Sequence, residues 1–142
     1  MEESKEKNIV IDENTIKKKV FNIRHQKVML DFELAEIYGY TTTRFNEQVK
    51  NNAEKFDDDF MFQLTKSEFE NLISKKSTSS WGGRRKPPYA FTEQGIYMLM
   101  TVLRGELAVK QSKALIRMFK QMKDFIIENQ DFISPKDLVK EV

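Results

Sequence analysis

One short segment, LAEIYGYTTTRFNEQVKNN between Leu34 and Asn52, constrains the fold more than any other part of the chain. Ala35 and Gly39 lie four residues apart, and Phe45 follows Ala35 by ten. Two helices that cross at close range need a small residue at the crossing, and glycine allows the positive φ that stops the first helix abruptly. Phe45 then falls where the second helix would return an apolar anchor to the core. The spacing predicts a helix-turn-helix, although an ordinary helical hairpin with a solvated face fits the same residues.

The polar face of the second predicted helix carries side chains of the kind that read base pairs. Arginine can pair with guanine, asparagine and glutamine with adenine, and threonine can contact phosphate or a thymine methyl group. Glu47 weighs against this interpretation, because a carboxylate repels phosphate unless it accepts a hydrogen bond from cytosine. The candidate DNA-binding residues in this segment are Thr41, Thr42, Thr43, Arg44, Asn46, Gln48, Lys50 and Asn51.

A basic segment from Lys75 to Lys86 is a second candidate for DNA contact. It contains no acidic residue, it is rich in Ser, Thr and Gly, and Gly82-Gly83 is a turn signal between short polar strands. These features predict a basic hairpin, or wing, that contacts phosphates or enters the minor groove. A solvated mobile loop is the alternative. The cations are Lys75, Lys76, Arg84, Arg85 and Lys86.

Residue composition excludes several classes of chemistry. The chain has no cysteine, which excludes disulfides, thiolate nucleophiles and zinc–thiolate sites. His25 is the only histidine, so His-pair metal sites are removed and a Ser–His–Asp arrangement is disfavoured. We therefore expect no enzyme activity, no metal and no cofactor. A metal-dependent nuclease that uses Asp57, Asp58 and Asp59 is the alternative, although two-metal sites draw their carboxylates from separate elements.

Local signals predict the other helices and strands. Short apolar runs between polar turns indicate strands, whereas apolar residues spaced three and four apart after Ser, Thr or Asp indicate capped helices. The predicted elements are a helix from Asp12, a hairpin of residues 21–23 and 28–30 with His25 in its turn, helices over 31–38 and 42–52, a strand over 60–64, and helices over 65–74, 92–103 and 106–129. The predicted caps are Asp31, Thr42 or Thr43, Thr65 with Glu68, and Thr92.

The last of these helices carries two apolar stripes. A helix that only covers a small domain needs one stripe, so the surplus suggests a partner, most simply a second copy of the chain. A wide core-facing surface is the alternative. The stripe assigned to a dimer interface is Leu115, Met118, Met122 and Phe125, and its neighbour contains Ile116, Phe119 and Ile126 or Ile127. A dimer would place two reading helices on half-sites about one helical turn apart.

Length and hydropathy set the organisation of the chain. Its 142 residues suit one domain over residues 9–129, with a disordered tail at 1–8 and a tail or linker at 130–142. No apolar run approaches the roughly 20 residues that cross a bilayer, and the N-terminus lacks the features of a signal peptide. We therefore expect a cytoplasmic protein with no membrane association. The expected fold is α+β and helix-dominated: a winged helix-turn-helix-like domain with small β-hairpins and a long C-terminal helix.

Several blocks of residues, in consistent order and spacing, resemble a known family. They are Ile23-Arg24, Val28-Met29-Leu30-Asp31, Leu34-Ala35, Tyr38-Gly39, residues 59–65, Gly82-Gly83-Arg84-Arg85 and residues 89–95. On these blocks the chain resembles the phage-type DNA-binding domains of the KilA-N and Bro-N group, and most closely the open-reading-frame-six N-terminal family of phage antirepressor-like proteins. Two positions depart from the family pattern. His25 stands where glycine is expected and Asp57 where proline is usual, and histidine tolerates left-handed backbone better than most residues.

The resemblance implies sequence-specific DNA binding in the transcriptional control of phage, prophage or mobile-element genes, without catalytic residues. The expected partners are double-stranded DNA, a second copy of the chain and a repressor protein. The alternative is a protein–protein adaptor of the antirepressor kind, which binds a repressor through the C-terminal helix and has an incidental basic loop. Such an adaptor would bind DNA weakly, without salt dependence, or not at all.

Overall fold

Six helices and four short strands form the part of the chain that the computed structural model describes, residues 13–76 and 86–128. The helices are α1 (Glu13–Lys17), α2 (Asp31–Ile37), α3 (Thr42–Lys50), α4 (Lys66–Lys76), α5 (Glu93–Leu99) and α6 (Glu106–Glu128). The strands are β1 (Phe21–Ile23), β2 (Gln26–Leu30), β3 (Met61–Gln63) and β4 (Tyr89–Thr92). The predicted α+β, helix-dominated class with a long C-terminal helix is confirmed. The predicted tails at 1–8 and 130–142 and the Gly82-Gly83 turn lie outside the described residues.

The strands form one antiparallel sheet in the order β1-β2-β4-β3, so β4 lies between strands that precede it in the chain. The predicted β1–β2 hairpin is confirmed, and Phe21 pairs with Val28. Its two-residue turn is Arg24-His25, with φ of 55° and 64°. Both φ values are positive, as a type I′ hairpin turn requires. His25 lies in the hairpin turn, as predicted, and adopts a left-handed backbone, which histidine tolerates better than most residues.

Both faces of the sheet are buried. On one face Val28, Leu30 and Ala90 share an apolar cluster with Phe69 of α4. On the other face Met29 and Phe91 belong to the larger core, formed mainly with α2, α3, α5 and α6. The Phe91 ring makes edge-on contacts with Phe45 and Phe56, at centroid distances of 5.7 and 5.8 Å. The sheet is thus the middle layer between α4 and the remaining helices.

Two predicted helix caps are confirmed. At the start of α4 the Thr65 amide donates to Glu68 Oε1 (2.8 Å) and the Glu68 amide donates to Thr65 Oγ1 (3.1 Å), which is a capping box. Thr92 caps α5 by accepting from the Gly95 amide at 3.2 Å. However, α5 ends at Leu99 instead of continuing to residue 103, and α4 extends to Lys76, two residues further than predicted.

Two other caps differ from the prediction. Leu30 occupies the N-cap position of α2 and makes no side-chain cap, because Asp31 is already the first helical residue. The cap of α3 is Thr41, one residue before the predicted Thr42 or Thr43, and its Oγ1 accepts from the Arg44 amide at 3.2 Å. Thr, Ser and Asp cap helices almost equally well, so a run of three threonines does not specify which one does.

Helix α6 holds the turn between α2 and α3. The buried Gln111 side chain donates from Nε2 to the Ile37 carbonyl at 2.7 Å, and Ser112 Oγ lies 2.8 Å from Tyr38 Oη. Burial raises the pKa of Tyr38 to about 12, so its hydroxyl stays protonated. Gly39 has the predicted positive φ, 75°, and a Cβ at this position would come within 3.0 Å of Leu107 on α6.

The stripe that was assigned to a dimer interface does not lie on the surface as a whole. Leu115 and Met118 are fully buried in the core of the protomer, Met122 is half-buried, and Phe125 is 65% exposed. Apolar spacing predicts a buried face equally well for a core contact and for a helical seam, which is why the assignment failed for the first two residues. The exposed large apolar residues of α6 are Val109, Ile116, Phe125, Ile126 and Ile127.

Candidate nucleic-acid interface

The α2–α3 helix pair packs an apolar face on the core and leaves a polar face on the outside. Ala35 is buried in α2, and Phe45 and Val49 anchor α3, as the spacing predicted. The Tyr40 amide donates to the Ala35 carbonyl at 2.8 Å, a bond that closes the end of α2 across the turn at Gly39. The inner face of α3 is therefore fixed, and its outer face is presented to solvent.

The predicted reading residues on α3 fall into two groups. Thr43, Arg44, Lys50 and Asn51 are exposed, as is Glu47 between them. Thr41 is exposed too, but its hydroxyl serves as the helix cap. Thr42, Asn46 and Gln48 are half-buried. The first group has side chains free to reach a base edge or a phosphate, and the second borders the rest of the domain.

A buried carboxylate fixes the position of α3. Asp31 is 4% exposed, and its Oδ1 accepts from the Phe32 amide at 2.7 Å. Its Oδ2 accepts from Asn46 Nδ2 at 3.1 Å and from the Tyr89 amide at 3.3 Å. One side chain thus joins the start of α2, the middle of α3 and the start of β4. Asn46, predicted as a base reader, acts here as a positioning residue.

This role of Asp31 could not be predicted from the sequence, because both partners are distant in the chain. Asn46 follows Asp31 by 15 residues and Tyr89 follows it by 58. An aspartate between a strand and a helix resembles a cap, and no local pattern distinguishes a cap from a buried tertiary contact. Only the placement of β4 beside β2 brings the Tyr89 amide to this carboxylate.

Two adjoining clefts run along one side of α3, and we call them together the α3–β4 groove. The larger, of about 430 Å³, is lined by Asn46, Val49, Lys50, Ala53, Phe56, Met61, Lys86 and Tyr89. The smaller, of about 180 Å³, is lined by Asp31, Thr42, Asn46, Lys86, Pro87, Pro88 and Tyr89. The clefts share Asn46, Lys86 and Tyr89, so the groove extends from the first residue of α3 to the turn that follows it.

The cations predicted to form one wing are not all brought together. Lys86 is exposed on the α3–β4 groove, whereas Lys75 lies on α4 beside a different cleft, with Arg24 and Glu68. Lys76 ends α4, so Lys75 and Lys76 belong to a helix and not to a hairpin. Arg84 and Arg85 lie outside the described residues, and their part of the predicted wing stays a prediction.

The acids Asp57, Asp58 and Asp59 are exposed. Asp59 accepts a hydrogen bond from Gln94 at 3.2 Å. Within residues 13–76 and 86–128, no three His, Asp or Glu side chains lie close enough together to hold a metal ion. The described helices also include none with the length and apolar character needed to cross a bilayer.

These residues define an α+β domain in which a helix pair presents a polar, cation-bearing face beside a groove. The chain belongs to the ORF6N domain family, whose model matches residues 18–102, more than half of its length. The match confirms the resemblance to the open-reading-frame-six N-terminal family, a phage-type family of regulatory, antirepressor-like proteins. It covers α2, α3, both sides of the α3–β4 groove and α5, and it ends before α6. No curated protein and no solved structure matches the chain.

Proposed function

We propose that the protein binds double-stranded DNA sequence-specifically and regulates transcription of phage or mobile-element genes. The carrying observation is the two-sided character of α3. Phe45 and Val49 fix one side in the core, while Thr43, Arg44 and Lys50 extend from the other. A helix held in this way can enter the major groove without reorganising, and its Arg and Thr side chains suit guanine and the thymine methyl group.

The surrounding charges support the same proposal. Arg44 and Lys50 form no ion pair with any described residue, so their positive charges are not neutralised at the surface. Lys86 adds a third cation beside α3. The net charge of the chain is only +2, so the local placement of cations matters more than their total. Membership of the ORF6N domain family agrees with a regulatory role.

The test is selection of bound duplexes from a random pool, followed by fluorescence anisotropy on the enriched sequence. The Arg44→Ala substitution should weaken specific binding by about 1–3 kcal/mol and relax the preference at one base pair, if its guanidinium pairs with guanine. Arg117→Ala, which removes another exposed arginine, on α6, is the matched control and should leave affinity unchanged. Absence of both enrichment and binding at low salt, with the fold intact, would contradict the proposal.

The predicted wing is tested separately with an Arg84→Ala/Arg85→Ala variant on the same duplexes. If both side chains contact phosphates, the slope of log K against log salt should become less negative by about 1.8. An unchanged slope would remove the wing from the proposal and leave the α3 surface as the DNA contact.

A second candidate function is a protein–protein adaptor that binds a repressor. The observation that favours it is the exposure of Ile116, Ile126 and Ile127 on α6, each between 45% and 62% exposed. Exposed apolar side chains grouped on a helix are typical of a surface that meets another protein. The two functions differ in the salt dependence of DNA binding, because neutralising DNA phosphates releases condensed counterions. Binding of a repressor with no salt-dependent DNA binding would favour the adaptor.

A further inference from the structure

We propose that the α3–β4 groove holds the sugar–phosphate backbone of one strand of duplex DNA, with Lys50 and Lys86 on either side of it. The inference deepens the proposed function and rests on it. It assigns a backbone-binding role to the cleft and to two of its lining residues, Lys86 and Tyr89. These residues lie 36 and 39 positions after Lys50 in the chain. Phosphate contacts of this kind fix the register of a reading helix on the duplex.

Two cations on different elements, Lys50 and Lys86, line the groove. Lys50 extends from the last turn of α3, and Lys86 from the segment that leads into β4. Both are exposed, and neither forms an ion pair with a described residue. Two unpaired ammonium groups that line one cleft from different elements attract a polyanion that passes between them.

The acidic residue of the groove does not cancel this attraction. Among the lining residues, Asp31 alone is acidic, and it lies in the smaller cleft. Its carboxylate is 4% exposed and accepts hydrogen bonds from the Phe32 amide, Asn46 and the Tyr89 amide. These donors face the carboxylate, so a strand in the groove meets the two lysines and not the carboxylate oxygens.

Four apolar or aromatic side chains of the larger cleft form what we call its apolar floor. Val49, Phe56, Met61 and Tyr89 all line the larger cleft; the first two are buried and the last two are half-buried. A free inorganic anion gains nothing from such a floor. Deoxyribose, in contrast, has an apolar edge beside each phosphate, so the backbone of DNA matches an apolar floor bordered by cations. The groove also runs alongside α3, which is about 14 Å long by helical rise, enough for a short run of nucleotides.

The experiment measures anisotropy of a labelled random-sequence duplex against the full chain at several salt concentrations. Each of Lys50→Ala and Lys86→Ala should make the slope of log K against log salt less negative by about 0.9, and the double variant by about 1.8. Lys110→Ala, an exposed lysine on α6, is the matched control and should not change the slope. Thermal melting of each variant establishes that the fold is intact.

A second variant separates the groove from general electrostatics. Ala53 is exposed and lines the larger cleft, so Ala53→Phe fills the cleft without changing any charge. If the strand lies in the groove, this uncharged substitution should make the slope of log K against log salt less negative, as the double lysine variant does. Gln121→Phe places the same aromatic side chain at an exposed, uncharged position of α6 away from its apolar stripe and should have no effect.

The outcomes separate this inference from the proposed function. A less negative slope in the lysine variants and in Ala53→Phe supports the groove. If DNA binding depends on salt but Lys50→Ala, Lys86→Ala and Ala53→Phe all leave the slope unchanged, the groove is overturned and DNA binding remains in place. A less negative slope in the lysine variants but not in Ala53→Phe places the phosphates outside the groove, which also overturns the inference. Tighter binding of a single strand than of the duplex overturns the assignment to duplex DNA, and no binding by the parent protein overturns both proposals.

Discussion

Asp31 shows how a single side chain can determine the geometry of a surface that it does not itself form. Its two carboxylate oxygens accept from three donors on α2, α3 and β4. A buried carboxylate without such partners would be strongly destabilising, so the three elements are held at the distances that satisfy it. The orientation of α3 relative to the α3–β4 groove follows from this arrangement.

The Asp31→Ala substitution should lower the free energy of unfolding by about 2–4 kcal/mol, because it leaves the Asn46 amide and the Tyr89 N–H without their buried acceptor. Urea unfolding followed by circular dichroism measures the change. Asp58→Ala is the control, since Asp58 is exposed, and it should cost less than about 0.5 kcal/mol. Equal effects from the two substitutions would contradict the role assigned to Asp31.

The ion pair between Arg24 and Glu68 should make stability depend on pH in acid. Arg24 donates to both Glu68 oxygens at 2.9 and 3.0 Å, and this hydrogen bonding is the main cause that lowers the pKa of Glu68 from 4.5 to about 2. A carboxyl whose pKa is lowered on folding stabilises the protein above its unfolded value. The contribution is therefore complete above about pH 4.5 and is lost as the pH falls toward 2.

The measurement compares the parent protein with Glu68→Gln across this pH range. Glutamine can still take the capping-box role at the start of α4, so the variant isolates the charge. The difference in melting temperature should be largest near neutral pH and should shrink as the pH falls below 4.5. Glu70→Gln, exposed on the same helix, should show no such trend. A difference that does not depend on pH would contradict the prediction.

At the scale of the elements, α5 approaches the chain before β3 so closely that only glycine fits. A Cβ on Gly95 would lie 1.9 Å from the Phe60 carbonyl oxygen. That oxygen already accepts from the Thr92 amide at 3.1 Å and from the Thr92 hydroxyl at 3.2 Å. Any residue larger than glycine must therefore move α5 away from Phe60 and strain the Thr92 hydrogen bonds to this oxygen.

We expect Gly95→Ala to cost about 3 kcal/mol of unfolding free energy, or to prevent folding, because the clash is with backbone and cannot be relieved by a rotamer change. The neighbouring exposed Gln94→Ala should cost less than about 1 kcal/mol. Denaturant melts of the two variants give the comparison. A Gly95→Ala protein as stable as the Gln94→Ala protein would show that the approach of α5 is looser than described.

The elements predicted correctly are those with local signals. The Thr65–Glu68 capping box, the Thr92 cap and the stop at Gly39 each depend on residues within a few positions of one another. Strand order is different, because β4 inserts between β2 and β3 from far along the chain. The α3–β4 groove depends on that insertion. Sequence analysis could therefore predict α3 and its polar face, but not the groove beside it.

On the scale of the whole molecule, α6 carries a surface stripe that differs from the one predicted. Val109, Ile116 and Ile127 are separated by seven and eleven residues, intervals that return to nearly the same face of a helix. All three are exposed, whereas the predicted stripe begins with the buried Leu115 and Met118. If the chain dimerises through α6, the exposed stripe is the surface that is available to do so.

A Ile116→Glu/Ile127→Glu variant tests the predicted dimer. Sedimentation should show the parent as a concentration-dependent dimer and the variant as a monomer, since burying two carboxylates in an apolar contact is strongly unfavourable. Gln121→Glu adds a carboxylate to the same helix at a position away from the stripe, and it should leave the dimer intact. A parent protein that is monomeric at all concentrations would contradict the dimer.

Helix α6 contacts the turn at Ile37, Tyr38 and Gly39 and so connects its exposed surface to the turn between α2 and α3. It is about 35 Å long by helical rise, and Leu107, Gln111 and Ser112 near its beginning touch three consecutive residues of the turn. A partner bound to α6 would therefore bind an element that contacts the turn leading into α3. Thermodynamic linkage is reciprocal, so a partner that displaces α6 and a ligand that holds α3 must change each other's affinity by the same factor.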